Sequence, residues 1–230
     1  MRAALPSSHS PHILFPALML LLLLLQPTEL RADSVSRALN RADYARTDRE
    51  AIEAVFDKAE AANVPSELLL PRLQQGIAKS IPAARVRRAL DEDLRQLLHA
   101  RELVQSTEAG AAIVEETAAW ARAANLLDSG RTEEELRNLA TVSSERPEAF
   151  RPASTLYVSI VDWGLDEPTA LALVEAAVDS ALPASEFAGI TELLVRGRRA
   201  RIRPEQLVQR LIANLPHAQS LAELRDMTLE

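Results

Sequence analysis

The amino-acid sequence predicts an all-α protein of about ten helices that follow an N-terminal export signal. Helix-forming residues dominate, and beyond the predicted signal no segment alternates apolar and polar residues over the length of a strand. Signals for the start and the end of helices recur along the chain. Only eight residues are aromatic, so the core must be built from Leu, Ala, Val and Ile. Small Ala faces let helices approach closely, which favours packing of helix on helix.

The first 32 residues differ in kind from the rest of the chain. A polar start that contains Arg2 is followed by an unbroken apolar run over residues 13–25. As a helix this run would reach roughly 20 Å, whereas the hydrocarbon core of a bilayer is about 30 Å thick. The pattern predicts a removable secretory signal in residues 1–32, with cleavage after Ala32. Residues 33–46 would then form a flexible or weakly helical lead-in.

The composition favours a bacterial envelope protein. The chain has no cysteine, so it can form neither a disulfide nor a lipid-anchored N-terminal cysteine. A small extracellular eukaryotic protein would more often carry disulfides. The 24 arginines against 2 lysines favour a GC-rich bacterial genome. We therefore expect a periplasmic or secreted protein.

The charge balance argues against a general nucleic-acid-binding protein. After removal of the predicted signal, 24 basic and 32 acidic side chains remain, a net charge near −8. Such proteins bind largely by neutralising phosphates with basic side chains. The sequence also lacks the phosphate-binding, dinucleotide-binding and calcium-binding loop motifs, so no cofactor is predicted.

Helix limits follow from apolar residues spaced three and four apart and from the start and stop signals. The predicted helices cover residues 48–62, 66–79, 83–105, 108–128, 132–143, 152–163, 167–180, 185–196, 204–215 and 220–228. They fall into a first helical module at 47–128 and a second at 129–230, although the two could equally form one continuous domain.

Three kinds of local signal define these limits. Capping boxes, in which a hydroxyl and a carboxylate satisfy free amides of the first turn, are predicted for Thr47 with Glu50, Thr132 with Glu135 and Ser220 with Glu223. Prolines that suit a first helical turn are Pro65, Pro82 and Pro204. Glycines that suit a helix end are Gly130, Gly164 and Gly197.

Helix starts also recur with a regular spacing. From residue 132 they fall roughly every 17 to 20 residues, so two helices take about 35 to 38, as in stacked αα-hairpins. The segments 76–82 and 197–204 look alike if one residue is inserted. The period is similar to that of tetratricopeptide arrays, but their Trp, Gly, Tyr and Phe signature is missing. Helices of ordinary length could produce the same spacing, so a solenoid-like array and an irregular helical bundle both remain open.

Residues suited to catalysis or metal binding are sparse. Outside the signal the chain has only two histidines, His99 and His217, and no Gly-x-Ser-x-Gly elbow. His99 and Glu102 lie three apart, but a zinc site needs three or four ligands, so a structural role is favoured. Residues 115–116 and 133–135 supply carboxylates for a glycan hydrolase, yet such residues usually face solvent on helices. Rings that could line a groove, but more often anchor packing, are Phe150, Tyr157 and Trp163.

The densest local feature is basic. Five arginines lie within eight residues of an otherwise acidic chain: Arg196, Arg198, Arg199, Arg201 and Arg203. They would create a local positive field suited to lipid or polysaccharide phosphates, or to an acidic protein face. Alternatively, they could pair with carboxylates of the same chain and with the carbonyl end of a helix. A smaller cluster comprises Arg85, Arg87 and Arg88.

Three functions follow, in order of preference. The first is a non-catalytic scaffold or adaptor of the bacterial envelope that docks an unknown envelope protein. The second is a peripheral binder of anionic lipid or polysaccharide through the arginines at 196–203. The third is an envelope hydrolase that uses carboxylates.

Overall fold

The computed structural model describes residues 27–108 and 110–229, with side chains from Ser34 onward. The described residues form twelve α-helices and no strand, which confirms the all-α prediction. The apolar run of the predicted export signal lies outside the described residues. The predicted cleavage point after Ala32 falls inside the first helix, α1, which comprises Pro27–Asn40.

The remaining helices follow in chain order, with four short 3₁₀ segments between them. They are α2 Arg46–Ala61, α3 Leu70–Ala78, α4 Ala83–Gln105, α5 Gly110–Glu115, α6 Thr117–Asp128, α7 Glu133–Val142, α8 Phe150–Asp162, α9 Glu167–Asp179, α10 Phe187–Arg199, α11 Pro204–Asn214 and α12 Leu221–Leu229. The 3₁₀ segments are Ser66–Leu68, Pro147–Ala149, Ala184–Glu186 and Leu215–His217. The chain divides into two compact units after Asp91, which lies within α4.

The first unit is built on α1, α2 and α3. Helix α1 packs on both of the others and buries Val35 and Leu39, so part of the predicted lead-in at 33–46 is helical and contributes to the core. Between α1 and α2, the hydroxyl of Tyr44 donates a hydrogen bond of 2.8 Å to the carbonyl of Ile81. This bond ties the α1–α2 connection to the residues that precede α4.

In the second unit, helices pack on near neighbours in the sequence. Helix α8 packs on α6, α7, α9 and α10, and α11 packs on α9, α10 and α12. The core of this unit contains four buried rings, Trp120, Phe150, Tyr157 and Phe187, among aliphatic side chains. The module boundary predicted at residues 128 and 129 lies inside this unit.

One turn geometry recurs at five helix ends in the described part of the chain. A residue with positive φ ends each helix: Asn63 (54°), Ser80 (51°), Gly130 (87°), Gly164 (89°) and Arg201 (63°). The amide of the following residue then donates to the carbonyl five residues earlier, as Ile202 does to Gly197 at 3.0 Å. This is the hydrogen bond of the Schellman motif. In every case the next helical or 3₁₀ segment begins three residues after the residue with positive φ.

Two of the predicted glycine stops are confirmed and one is wrong. Gly130 and Gly164 have the positive φ that an ending glycine adopts. Gly197 lies inside α10, which continues to Arg199. A Cβ there would lie 2.2 Å from Cδ2 of Leu207, so this glycine allows α11 to approach α10.

The likeness between 76–82 and 197–204 has a structural basis. A Cβ on Gly76 would lie 2.6 Å from Cγ2 of Val86, the counterpart of the Gly197 and Leu207 contact. Each glycine lies four residues before a residue with positive φ. The two segments therefore correspond without the inserted residue that the sequence comparison assumed, and their prolines differ by one position.

The predicted helix starts have mixed outcomes. Thr132 and Glu135 form the complete capping box. At α12 only half of the predicted box forms. The amide of Glu223 donates to Ser220 Oγ at 3.3 Å, but the carboxylate of Glu223 accepts from the amide of Gln219 at 2.8 Å. The box predicted at Thr47 is wrong, because α2 already begins at Arg46 and the carboxylate of Glu50 pairs with that arginine.

Of the remaining predicted start and end signals, some are confirmed and others are wrong. Pro204 is the first residue of α11, as predicted, whereas Pro65 and Pro82 precede the segments that they were expected to open. The single helix predicted over 108–128 is wrong. It is broken into α5 and α6 by the extended backbone of Glu116, at φ −88° and ψ 113°.

Candidate arginine-rich docking surface

The predicted arginines lie where α10 ends and α11 begins. Arg196 and Arg198 belong to the last turn of α10, together with Arg199. Arg201 occupies the positive-φ position of the turn, and Arg203 is the residue before the first turn of α11. The five side chains therefore project from one short connection between two packed helices.

The backbone fixes the shape of this connection. The amides of Ala200 and Arg201 donate to the carbonyls of Arg196 and Arg198, each at 3.0 Å. Arg201 adopts a left-handed conformation that costs a residue with a Cβ about 1 kcal/mol or more. The turn holds this residue in place although glycine would fit with less strain.

Among the residues that the structure describes, a partner is found only for the first of the five arginines. Arg196 Nη2 lies 2.6 Å from Glu192 Oε1, an ion pair between neighbouring turns of α10. The other four are exposed, and within the described residues their side chains have neither an ion pair nor a hydrogen bond: Arg198, Arg199, Arg201 and Arg203. We call these four residues the arginine turn. The alternative of internal pairing therefore holds for Arg196 alone.

Other arginines of the same unit differ sharply from the arginine turn. One guanidinium nitrogen of Arg146 donates to the carbonyls of Val178 and Ser180 at 2.9 and 3.0 Å, and the group also lies over the ring of Phe187. Arg122 is partly buried and donates to the carbonyl of Ser154 at 2.9 Å. Burial lowers the pKa of Arg122. These arginines connect helices, whereas those of the arginine turn face solvent.

The position of the arginine turn at the end of a helix favours its positive charge. The last carbonyls of a helix carry a partial negative charge, which favours cations at that end. Arg198 and Arg199 occupy such a place at the end of α10. This stabilises the helix but leaves the guanidinium groups able to bind an external anion, because no carboxylate of the described chain neutralises them.

The smaller cluster lies in the other unit. Arg85, Arg87 and Arg88 are exposed in the first turns of α4. The helix has no acidic residue in its first turn to offset them.

The histidine candidates are separate from each other. His99 Nε2 lies 3.1 Å from Glu133 Oε1, which joins α4 to α7. This contact and that of Arg137 lower the pKa of Glu133. Glu102, the other candidate metal ligand, is not a partner of His99, and His217 is exposed in a 3₁₀ segment. No group of three or more possible metal ligands occurs in the residues described by the structure.

The carboxylates do not converge on a common cleft either. Glu115 and Glu134 are exposed on helices, and Glu116 is exposed in the break between α5 and α6. Glu135 alone is buried, with 6% exposure, and its Oε1 accepts a hydrogen bond of 2.8 Å from the hydroxyl of Tyr157. It also accepts from the amide of Thr132, so its charge is satisfied by structural contacts.

Electrostatics support a structural role for this buried pair. Burial alone would raise the pKa of Glu135, but the hydrogen bonds from Thr132 and Tyr157 and the charge of Arg131 outweigh it, so the net shift is downward. Burial and the bond to Glu135 raise the pKa of Tyr157. Sequence reasoning missed this contact, because the two residues meet only when α7 packs on α8.

The aromatic candidates are core residues rather than a groove. Phe150 and Tyr157 are buried, and Trp163 is partly exposed just after the end of α8. Packing is therefore the role of at least the first two rings.

A groove in the first unit was not anticipated from the sequence. It has a volume of 620 Å³ and lies against α1, α2 and the segment that follows α2. Buried apolar side chains form its floor, namely Val35, Phe56 and Val64, and carboxylates of α2 form its rim, namely Glu53, Asp57 and Glu60. We call it the acidic groove. The spacing of the three carboxylates, four and three residues apart, was the available signal.

None of the helices within residues 27–108 and 110–229 is both long and apolar enough to cross a membrane. No protein-family model, curated protein or solved structure matches this chain.

Proposed function

We propose that this protein is an exported, non-catalytic helical scaffold or adaptor of the bacterial cell envelope that docks another protein. The observation that carries the proposal is the packing of the second unit, where helices α6 to α12 contact near neighbours in the sequence and the same turn geometry ends α6, α8 and α10. Stacked helical hairpins of this kind offer extended surfaces for protein binding. The predicted signal at 1–32 supplies the export.

Two measurements test this proposal. Mass spectrometry of the protein from a periplasmic fraction should give an N-terminus close to Asp33. A tagged chain incubated with envelope extract should retain one protein at near-equal stoichiometry after washing. A full-length N-terminus in the cytoplasmic fraction, or no stoichiometric partner, would count against the scaffold.

A second function is favoured by a specific observation. The arginine turn has four exposed guanidinium groups without a partner in the described chain. Guanidinium groups bind phosphate in a bidentate manner, and anionic lipids and polysaccharides of an envelope carry phosphates. We therefore propose, as the alternative, that the protein binds anionic lipid or polysaccharide at the membrane surface through the arginine turn.

Co-sedimentation with vesicles tests the alternative. Vesicles with phosphatidylglycerol should bind the chain at low salt, and vesicles of phosphatidylcholine alone should not. Binding should weaken steeply between 50 and 500 mM salt, since each neutralised phosphate releases counterions. Contacts between exposed charges become largely screened over about this range of salt concentration.

Matched variants give the control. Replacing Arg198, Arg199 and Arg201 by Gln should lower vesicle binding at least tenfold, whereas replacing Arg85, Arg87 and Arg88 removes the same charge elsewhere and should have little effect. Equal loss in both triple variants would mean that net charge, rather than this turn, drives binding.

A further inference from the structure

The acidic groove and the arginine turn are complementary surfaces of one chain. Within the described residues, the three rim carboxylates of the groove have no ion pair or hydrogen bond, and neither do the four guanidinium groups of the turn. Elsewhere, carboxylates of α2 do pair, as Glu50 does with Arg46 at 2.8 Å. Each surface is thus a cluster of unpaired charges of one sign, and the two signs are opposite.

Each surface occupies a short stretch of the chain. The rim runs along α2 from Glu53 to Glu60, which is about 10 Å at the rise of an α-helix. The arginine turn covers six residues from Arg198 to Arg203, of which the first two lie in a helical turn. The apolar residues of this stretch are Ala200 and Ile202. Ile202 is partly exposed and lies between two arginines in the sequence.

We propose that the acidic groove of one copy binds the arginine turn of a second copy. The groove cannot pair with itself, because two carboxylate rims repel, and the same holds for two arginine turns. The contact therefore joins unlike surfaces: it closes as a two-fold dimer when both copies exchange groove and turn, and otherwise continues head to tail into rings or open chains. This inference names a partner for the proposed scaffold, and to that extent rests on it.

Charge reversal in the whole chain tests the inference. The protein is purified as the cell produces it, its N-terminus is fixed by mass spectrometry, and its mass is followed by light scattering and sedimentation over a concentration series. The groove variant carries Asp57→Arg and Glu60→Arg. The turn variant carries Arg198→Glu and Arg201→Glu, and a third variant carries all four changes.

The expected results are specific. The unchanged chain should associate in a concentration-dependent manner that weakens as salt rises. The groove variant and the turn variant should each raise the dissociation constant at least tenfold. The variant with all four changes should regain association, because the two arginines introduced into the groove can pair with the two glutamates introduced into the turn. A merely structural effect of the four substitutions would not be reversed in this way.

Control variants change the same number of charges at other exposed sites. Arg85→Glu with Arg88→Glu matches the turn variant, and Glu175→Arg with Asp179→Arg matches the groove variant. Both should associate like the unchanged chain. If the groove variant fails to fold by circular dichroism, Asp57→Asn with Glu60→Gln takes its place and should weaken association by a smaller factor.

Several outcomes would overturn the inference. In the first, the unchanged chain stays monomeric at the highest concentration. In the second, the groove and turn variants associate as the unchanged chain does. In the third, the variant with all four changes remains monomeric. Each differs from failure of the proposed scaffold, which is judged by the partner recovered from envelope extract. A monomeric chain that still recovers an envelope protein leaves the scaffold standing without self-association.

Discussion

Arg146 and Arg199 have the same side chain in opposite surroundings. The guanidinium of Arg146 is held by carbonyls of the last turn of α9 and of the residues after it, and by the ring of Phe187, so its donors are used within the fold. Arg199 is exposed at the end of α10. Removing Arg146 would leave buried carbonyls unpaired, whereas removing Arg199 changes only a surface charge.

Glu135 and Tyr157 give the first prediction. Tyr157→Phe should lower the free energy of unfolding at pH 7 by about 2 kcal/mol, because it removes a hydrogen bond to a charged, buried group. Urea unfolding followed by circular dichroism measures this. Tyr44→Phe is the matched control: it removes a bond from the same kind of hydroxyl to a neutral carbonyl and should cost about 1 kcal/mol.

The pH dependence of the same pair distinguishes the two tyrosines. The pKa of Glu135 is lowered in the folded state below its ordinary value of 4.5, so its stabilising contribution is complete above that pH. The contribution is lost as the pH falls through the folded pKa. Between pH 5 and pH 3, the deficit of Tyr157→Phe relative to the unchanged chain should therefore shrink. The deficit of Tyr44→Phe should stay constant, and a deficit of Tyr157→Phe that grew in acid would contradict the assignment.

Residue by residue, the sequence predicted contacts that are local in the chain. The Thr132 and Glu135 capping box spans four residues and could be read directly, as could a pairing of Arg196 within its own helix. The bond from Tyr157 to Glu135 joins residues 22 apart, and one sequence does not show which helices meet. For the same reason, the sequence left open whether the side chains of the arginine turn pair with carboxylates of the same chain.

At the scale of the element, the same helix-ending turn is formed with different residues at its positive-φ position. Glycine occupies the positive-φ position at 130 and 164, while Asn63, Ser80 and Arg201 occupy it elsewhere. Prediction from glycine therefore located two ends and missed three. It also misplaced one, because Gly197 is required by the close approach of Leu207 rather than by backbone conformation.

The turn geometry gives the second prediction. Arg201→Gly should raise the free energy of unfolding by about 1 kcal/mol, because glycine adopts positive φ without steric cost. Gly130→Ala should lower it by a similar amount, although nothing lies within 4 Å of the added Cβ. Thermal unfolding of the purified variants measures both effects.

Arg199→Gly is the control for this prediction. It removes the same charge two residues earlier, where the backbone is helical, and should lower stability by up to about 1 kcal/mol. In the vesicle assay, Arg201→Gly should bind more weakly despite being more stable, which separates the binding role of the side chain from its backbone strain. A destabilised Arg201→Gly would show that its side chain stabilises the turn.

At the scale of the whole second unit, packing is distributed along the chain. Helix α12 packs mainly on α10 and α11, where Leu224 and Thr228 are buried. Its connections include a hydrogen bond of 3.1 Å from Arg210 to the carbonyl of Thr228. A stacked array is a sum of such neighbouring interfaces, whereas a closed bundle places every helix around a shared core.

Truncation after Ala218 distinguishes these two architectures and is the third prediction. In a stacked array, loss of α12 should remove about its own share of helical signal and leave one cooperative unfolding transition at lower urea concentration. Leu173→Ala, in the middle of the unit where the side chain is fully buried, should cost about 2 to 5 kcal/mol and serves as the internal comparison. In a closed bundle, removing one helix exposes the common core. The truncated chain would then unfold without cooperativity, and its helical signal would be far below that expected from the helices that remain. Far-ultraviolet circular dichroism during urea unfolding records both quantities, and it does so without knowledge of any ligand.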